Sequence, residues 1–290
     1  MIHLVINPAA GNGSATRVGE RIVALLKEEN TAFDVSFTEY PGHATALAKE
    51  AAEKGIGTVV AVGGDGTVCE TARGLVGMDA ALGIIPAGTG NDVIKMLGTP
   101  RKPEEALRFV LEHPAREIDA GWVNDMLFLN ECGTGFDVCV LDYTLVAKKY
   151  VRGMLPYLWG VLRTIFTYKP IEVTVEVDGE GAFQKKLLLL AVANGRFIGG
   201  GMDVAPKSVP NDGLLDLILI DSMPNWRMPA QLLKLLTGRI LEIPGTVCRR
   251  CKSVTVTMND AKMRLNLDGE IVPVPHATFR VAPGALKVHW

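Results

Sequence analysis

A glycine-rich loop that contains one carboxylate, Gly63-Gly64-Asp65-Gly66-Thr67, follows the apolar run at 58–62. Glycines let the backbone come close to a phosphate group, and the N–H groups at the start of a following helix face the anion. A phosphate would repel the carboxylate of Asp65 unless a cation such as Mg²⁺ lies between them. The loop therefore predicts a site for a magnesium-bound nucleotide.

Two more loops of the same kind follow predicted strands. One is Asn7-Pro8-Ala9-Ala10-Gly11, and the other, Pro86-Ala87-Gly88-Thr89-Gly90-Asn91-Asp92, adds a hydroxyl group and a second carboxylate. In chain order, the loops that begin at Asn7, Gly63 and Pro86 are the first, second and third loops. In an open parallel sheet, such loops meet at the carboxyl ends of the strands, where ligands bind. One loop alone is equally well explained as a tight turn, but three in succession favour a shared phosphate site.

Two standard nucleotide motifs are absent from the sequence. No Gly-x-x-x-x-Gly-Lys-Ser/Thr run occurs, which argues against a P-loop protein. No complete Gly-x-Gly-x-x-Gly run follows the predicted strands, because the third glycine is replaced by Cys69 in one loop and by Val93 in the other. This disfavours a dinucleotide-binding dehydrogenase.

A third group of acidic residues lies near the end of the chain, in Asp268-Gly269-Glu270. It follows an alternating apolar and polar run at 263–267 that is typical of a strand. The tight turn places a carboxylate at each end, which makes it the best site for accepting a proton. Asp-Gly is also a common hairpin turn, so this motif has a purely structural interpretation when taken alone.

Composition sets limits on the class of protein. The chain has 290 residues, 48% of them apolar, which is enough for one large domain or two ordinary ones. Its net charge of −2 gives no sign of general nucleic-acid binding. Five cysteines, no visible signal peptide and no apolar run near membrane-spanning length predict a cytoplasmic protein.

The pattern of predicted elements changes near residue 122. Before it, strands at 2–7, 33–38, 58–62 and 82–85 alternate with helices at 14–29, 43–54, 67–77, 91–97 and 103–112. This order predicts an open, mostly parallel sheet with helices on both faces. After it, strands are predicted at 126–132, 171–177, 187–193, 214–221, 253–258, 263–267 and 277–281, with helical segments near 138–168 and 226–237. We therefore expect an α/β nucleotide-binding domain over 1–122 and a mainly antiparallel β-sandwich domain with helical insertions over 123–290.

The motifs, taken in order, resemble the diacylglycerol kinase catalytic-domain family of lipid kinases, which is related to sphingosine and ceramide kinases. Besides the three loops and the acidic turn, the resemblance rests on Val192-Ala193-Asn194-Gly195, Gly199-Gly200-Gly201 and Asp212-Gly213-Leu214-Leu215-Asp216. It covers nearly the whole chain. It implies an ATP- and Mg²⁺-dependent lipid kinase with its active site in the cleft between the two domains and a lipid domain over the second half.

The resemblance also implies roles for individual residues. Glu270 is expected to be the general base that accepts the proton of a diacylglycerol-like hydroxyl group, with Asp268 as its support. Asp65, Asp92 and Asp119 are expected to form a network around the catalytic Mg²⁺. The residues expected to contact ATP are Asn7, Gly11, Thr38, Gly63, Gly64, Asp65, Gly66, Thr67 and Thr89.

A second cation is implied at the turn Asn211-Asp212-Gly213. There the family holds a structural Mg²⁺ or Ca²⁺ through a carboxylate and two backbone carbonyl groups, which correspond to Asp212, Val209 and Leu214. Such oxygen ligands suit a hard ion. From the residues alone, the segment is simply a strong turn.

The segment 146–169 combines five basic residues with aromatic residues and contains no acid. This composition fits an element that lies on an anionic lipid surface. A core-packed helix with a solvated basic face explains it equally well. The first interpretation predicts a peripheral membrane protein with a lipid substrate. A homodimer is possible, but the sequence does not decide the oligomeric state.

Two other functions remain as alternatives. One is a kinase of a soluble substrate similar to NAD kinase, since Asn130-Glu131 resembles an element of that family. The other is a non-catalytic lipid-binding module, which the retained carboxylates disfavour. Cys69 and Lys95 depart from the family pattern, which usually has asparagine and arginine there, and this concerns nucleotide affinity and lipid choice more than kinase activity.

Overall fold

The computed structural model describes residues 1–151, 155–258 and 263–290. Arg152, which belongs to the basic segment singled out above, lies outside the described residues.

The strands within these ranges are β1 (Ile2–Ile6), β2 (Phe33–Phe37), β3 (Thr58–Gly63), β4 (Ala81–Pro86), β5 (Ala115–Val123), β6 (Met126–Phe128), β7 (Glu131–Gly135), β8 (Ile171–Val177), β9 (Ala182–Ala193), β10 (Phe197–Ile198), β11 (Met202–Asp203), β12 (Leu215–Asp221), β13 (Thr246–Cys251), β14 (Ser253–Met258), β15 (Met263–Leu267), β16 (Glu270–Val274) and β17 (Ala277–His289). The α-helices are α1 (Ser14–Glu28), α2 (His43–Glu53), α3 (Asp65–Leu75), α4 (Asp92–Leu97), α5 (Pro103–Glu112), α6 (Phe136–Lys148), α7 (Leu155–Thr167) and α8 (Met228–Leu236).

The first half of the chain forms the predicted parallel sheet. Strands β2, β1, β3 and β4 are neighbours in that order, and every pair is parallel. Strand β3 is central and buried along most of its length, as its continuous apolar run requires. Helices α2 and α3 pack on one face of the sheet, while α1 and α5 pack on the other. The carboxyl ends of β1, β3 and β4 consequently open on one edge, where the three loops follow.

The second half forms a mainly antiparallel β-sandwich, in agreement with the fold class expected from the sequence. Strands β16, β15, β7, β9, β8, β14 and β17 follow one another in this order, and β12 and β13 extend the sheet beside β9. Their alternating side chains enclose one apolar core. A second apolar cluster lies where α6, α7 and α8 cover the sheet.

Several boundaries differ from the predicted ones. Helix α3 begins at Asp65 rather than at residue 67, so the carboxylate lies in its first turn. The helical segment predicted at 138–168 contains two helices, α6 and α7. Strands β5, β13 and β16 carry too many polar or exposed residues to show a clear alternation, and the sequence does not predict them.

The last strand joins the two halves of the molecule. β17 pairs with β14 and β5, and its final residues reach β4, where Val288 lies opposite Leu82. Leu286 and Val288 pack into the core of the parallel sheet. The end of the chain therefore stabilises the position of the β-sandwich relative to the sheet that carries the loops. Among the described residues, no helix is both long enough and apolar enough to cross a bilayer.

Candidate active site

The three glycine-containing loops meet at the edge of the parallel sheet. The backbone N–H of Asn7 donates to the carbonyl of Val62 at 3.1 Å, and that of Ala87 donates to the carbonyl of Gly63 at 2.8 Å. The Asn7 side chain also donates through Nδ2 to Thr67 Oγ1 at 2.9 Å. These contacts fix the first and third loops on either side of the second one, as expected for one shared site.

Two glycines make this close packing feasible. A Cβ atom at Gly88 would lie 2.4 Å from the Cα atom of Gly64, so the second and third loops touch backbone to backbone. Gly11 has φ +58°, and a Cβ atom there would lie 2.1 Å from the Ala87 carbonyl oxygen. Any larger residue at either position would separate the loops.

Asp65 and Asp92 lie together at the mouth of these loops. Asp65 Oδ1 accepts the backbone N–H groups of Asp92, at 2.6 Å, and Val93, at 3.3 Å. Asp92 is buried, and its Oδ1 lies 3.1 Å from Lys95 Nζ. Burial, reinforced by the negative charge of Asp92, raises the pKa of Asp65. Two carboxylates held this close in a desolvated corner favour a nearby cation.

The donor set suits a cation that arrives with a nucleotide. No group of three or more carboxylate, imidazole or thiol side chains that could hold a metal is present within the described ranges. Mg²⁺ is typically held by one or two carboxylates together with substrate phosphates and water. Asp65 fits that mode, because the hydrogen bonds given above use only its Oδ1, and the glycine loops fit the phosphates.

The acidic turn is rigidly held through Asp268. Its Oδ1 accepts the N–H groups of Asn130 and Glu131, both at 3.0 Å, and its Oδ2 accepts that of Leu129 at 2.8 Å. Burial raises the pKa of Asp268, while the three backbone donors act in the opposite direction. The neighbouring Glu270 side chain is 60% exposed. Backbone groups thus hold Asp268 in place, whereas the Glu270 side chain is open to solvent.

Helix α3 joins the acidic turn, Asp268-Gly269-Glu270, to the phosphate loop, which is the second loop, where the helix begins. The thiol of Cys69 donates to Asp268 Oδ2, with a sulfur–oxygen distance of 3.4 Å. Cys69 lies one helical turn after Asp65, which begins the same helix. Residues from both halves of the chain therefore meet where helix α3 contacts the acidic turn.

Two further acids lie behind the turn, and the sequence does not predict them as site residues. Glu131 is buried, and its Oε1 has no hydrogen-bond partner among the described residues. Burial raises the pKa of Glu131 well above its usual range, and the charges of Asp137 and Asp268 add to the effect. Desolvation at the start of α6 raises the pKa of Asp137 to about 6.

These shifts predict a stability that increases as the pH is lowered. Between pH 6 and pH 4 the folded chain keeps a proton on Asp137 that the unfolded chain has lost, and above pH 6 this stabilisation is absent. The proton on Asp137 should therefore raise the free energy of unfolding by about 1 kcal/mol from pH 7.5 to pH 5.5, and the raised pKa of Glu131 should add to this rise. Urea unfolding at several pH values measures it. Asp137→Asn should reduce the slope, whereas the exposed-site control Asp125→Asn should not; an equal slope in all three would contradict this assignment.

Asp119 is buried, and backbone N–H groups hold both of its carboxylate oxygens. Its Oδ2 accepts the N–H of Gly213 at 2.7 Å, and its Oδ1 accepts the N–H of Gly284 at 2.9 Å. Its hydrogen bonds thus lead to the turn after residue 211 and to strand β17, rather than to Asp65 or Asp92. These bonds show how Asp119 is held in place, and its expected place in the network around a catalytic cation stays a prediction.

The turn expected to hold a structural cation already has partners for its carboxylate. Asp212 Oδ2 forms an ion pair with Arg250, and its Oδ1 accepts the N–H of Leu214 at 3.1 Å. A guanidinium group at this point supplies the positive charge that a cation would bring. The set Val209, Asp212 and Leu214 therefore does not present a free carboxylate to Mg²⁺ or Ca²⁺, and no step of the reaction is assigned to such an ion.

Two of the three threonines expected to contact a nucleotide, Thr38 and Thr89, lie beside the loops. The N–H of Thr38 donates to the carbonyl of Ile6 at 2.9 Å, next to the first loop, and Thr89 is exposed in the third loop. The glycine-rich segment at 199–201 also reaches this corner, because the N–H of Gly200 donates to Asp92 Oδ2 at 2.8 Å. The sequence offered this segment only as a motif without a role.

Two family models together match nearly the whole chain. Residues 1–123 match the model described as the diacylglycerol kinase catalytic domain, and residues 131–290 match the YegS C-terminal NAD kinase beta sandwich-like domain.

Curated relatives and solved structures agree with these matches. A "Probable lipid kinase YegS-like" protein of Chromohalobacter salexigens is 35% identical over 285 residues, which cover 95% of this chain and 90% of that protein. A diacylglycerol kinase of Bacillus subtilis is 32% identical over 271 residues, covering 92% of this chain and 88% of that protein.

A solved diacylglycerol kinase structure from Bacillus anthracis superposes with a TM-score of 0.81 at 27% identity, covering 100% of this chain and 96% of that one. An NAD kinase from Archaeoglobus fulgidus in complex with ATP shares the fold alone, with a TM-score of 0.56 at 18% identity, covering 100% of this chain and 94% of that one. The chain belongs to the lipid kinase family in which a diacylglycerol kinase catalytic domain is followed by a YegS-type C-terminal domain.

Proposed function

We propose that this protein transfers the γ-phosphate of ATP to the hydroxyl group of a lipid such as diacylglycerol. The observation that supports it best is the contact between helix α3 and the acidic turn. Helix α3 begins at Asp65 in the phosphate loop, and its Cys69 touches Asp268, the residue two positions before Glu270. A phosphate donor on the loops would consequently lie near an exposed carboxylate of the second domain.

In this proposal, Glu270 accepts the proton of the lipid hydroxyl group. The oxygen of that group then bonds to the γ-phosphorus while the bond to ADP breaks, so that the products are a phospholipid and ADP. Mg²⁺ bound near Asp65 and Asp92 would neutralise charge on the phosphates. The protein's own contribution is to hold the nucleotide on the three loops and to fix Glu270 through the half-buried Asp268.

A panel of acceptors tests the proposal. The purified chain is incubated with radiolabelled ATP, Mg²⁺ and mixed micelles that contain diacylglycerol, ceramide, a sphingoid base or no lipid, and a parallel sample contains NAD⁺. Label in a phospholipid product, with lipid-dependent ADP release, would support a lipid kinase and identify its substrate. NADP⁺ formation would instead favour the NAD kinase-like alternative, and tight lipid binding without turnover would favour a non-catalytic module.

A lipid substrate requires contact with a membrane, and helix α7 offers a surface for it. One stripe of α7 is buried on the sheet, but the other stripe is apolar and exposed. Trp159 is 55% exposed and Phe166 is 81% exposed. The exposed apolar residues of α7 follow the helical repeat and are Leu155, Leu158, Trp159, Leu162 and Phe166. Such a stripe is unusual on a surface that faces only water.

The charges around this stripe favour an anionic bilayer. Lys148, Lys149, Arg163 and Lys169 flank it, and the segment 146–169 has no acidic residue. Trp226, which is also exposed, precedes the adjacent helix α8. Basic residues around exposed aromatic residues are typical of a peripheral membrane surface.

Acidic substitutions on this stripe should weaken membrane binding. For the double variant Trp159→Glu, Phe166→Glu, we expect at least a ~10-fold loss of affinity for phosphatidylglycerol vesicles, because two aromatic side chains no longer insert. Vesicle sedimentation measures the effect. The control is Phe183→Glu, an exposed residue of β9 in the other part of the sheet. Equal binding by both variants would disprove the role of α7. If the wild type bound phosphatidylcholine vesicles as tightly as phosphatidylglycerol vesicles, the role of charge would be disproved.

A further inference from the structure

Helix α3 meets both carboxylates of the acidic turn with residues of one face. Cys69 and Arg73 are four residues apart and therefore lie on the same side of the helix. Cys69 contacts Asp268, as described above, and Arg73 NH1 lies 4.0 Å from Glu270 Oε2. The helix that begins in the phosphate loop thus places a cation beside the carboxylate expected to accept the proton.

The position of Arg73 is fixed by the second half of the chain. Its Nε donates to the carbonyl oxygen of Leu127 at 3.3 Å, and its side chain is only 25% exposed. Leu127 lies in β6, two residues before Leu129, whose N–H holds Asp268. The guanidinium group and the acidic turn are consequently tied to the same short stretch of backbone.

The distance between Arg73 and Glu270 shows that they interact as charges and not through a direct hydrogen bond. At 4.0 Å the two groups attract one another as charges but do not form a direct hydrogen bond. An exposed glutamate samples many rotamers, and a nearby fixed charge favours those that point toward it. A guanidinium group has no acceptor and stays protonated, so Arg73 cannot itself take the proton.

We propose that Arg73 is a positioning residue that holds the Glu270 carboxylate over the cleft. It restricts the side chain to the rotamers from which a lipid hydroxyl group can be reached, and it does so from the helix that also carries Asp65. This inference rests on the proposed function. The competing role, a contact between Arg73 and the nucleotide phosphates, affects a different kinetic constant.

The test compares Arg73→Met and Arg73→Lys in the lipid kinase assay. Loss of positioning should lower kcat by ~10–100-fold in Arg73→Met, with the KM for ATP changed by less than about twofold. Lysine retains a positive charge on a similar stem and should restore part of kcat. The control is Arg108→Met, an exposed arginine of α5 on the far side of the sheet, which should behave as wild type.

A double variant separates positioning from general damage to the fold. In the Glu270→Gln background, adding Arg73→Met should cause no further loss of kcat, because the group that Arg73 positions is already inactive. Losses that multiply, a kcat unchanged in Arg73→Met, or a raised KM for ATP with unchanged kcat would each overturn the inference. A wild type that phosphorylates no lipid at all would contradict the proposed function itself. If the wild type is active, these outcomes concern the role of Arg73 alone.

Discussion

The Glu270→Gln variant is expected to lose about 10²–10⁴-fold in kcat while its melting temperature stays close to that of the wild type. Glutamine has the same shape as glutamate but cannot accept a proton from a lipid hydroxyl group. The side chain is mostly exposed, and its one ion-pair neighbour within the described residues is Arg73 at 4.0 Å. Little folding energy therefore depends on its charge, because exposed pairs contribute about 0–1 kcal/mol.

Two measurements make this prediction sharp. Lipid kinase activity at saturating ATP and lipid gives kcat, and thermal unfolding shows whether the fold is intact. Glu176→Gln, an exposed change on β8, serves as a matched control and should keep full activity. An active Glu270→Gln variant would remove Glu270 from the role of general base. A loss of activity accompanied by a large drop in melting temperature would show that the effect is structural.

The α/β half of the fold could be predicted from local patterns. Continuous apolar runs such as 58–62 and the amphipathic stripe of α1 are short-range signals, and they fix a parallel sheet with helices on both faces. The β-sandwich was predicted as a class only. Strands such as β13 and β16 have exposed, polar or proline-containing sequences, and they become strands because a long-range partner offers free backbone groups.

The return of β17 to the parallel sheet was beyond the reach of sequence reasoning. The prediction ended this strand at residue 281, while the structure continues it to His289. A change of register between Ala282 and Leu286 interrupts the alternation that would mark one long strand. Its pairing with β4 depends on residues that are about 200 positions apart.

The candidate site, like the fold, contains residues with a local sequence signal and residues without one. Glycine loops and acidic turns have a local signature, so Asp65, Asp92, Asp268 and Glu270 could be selected by type and spacing. Arg73 could not, because its contact with Glu270 depends on which face of α3 meets the other half of the chain. Lys95 and Glu131 entered only as positions of family patterns, since the ion pair of Lys95 and the burial of Glu131 have no local signal. For Arg73, the one available signal was its spacing, with that of Cys69, after Asp65 on a single helix.

Asp268→Asn is expected to affect both stability and activity, in contrast to Glu270→Gln. The half-buried Asp268 carboxylate accepts three backbone N–H groups and the Cys69 thiol. An asparagine has one acceptor oxygen, and its NH₂ group would face donors that then lack a partner. The cost should be about 2–4 kcal/mol, since each unsatisfied buried donor costs about 1–3 kcal/mol.

The measurement for this variant combines thermal unfolding with the kinase assay. The melting temperature should fall by about 5–10 °C. kcat should also fall at a temperature where the variant is folded, because the turn that carries Glu270 loses its anchor. Asp125→Asn, an exposed change in the β5–β6 turn, controls for the loss of one carboxylate. A normal melting temperature with low kcat would mean that Asp268 takes part in the chemistry directly, and normal values of both would show that these hydrogen bonds do not position the acidic turn.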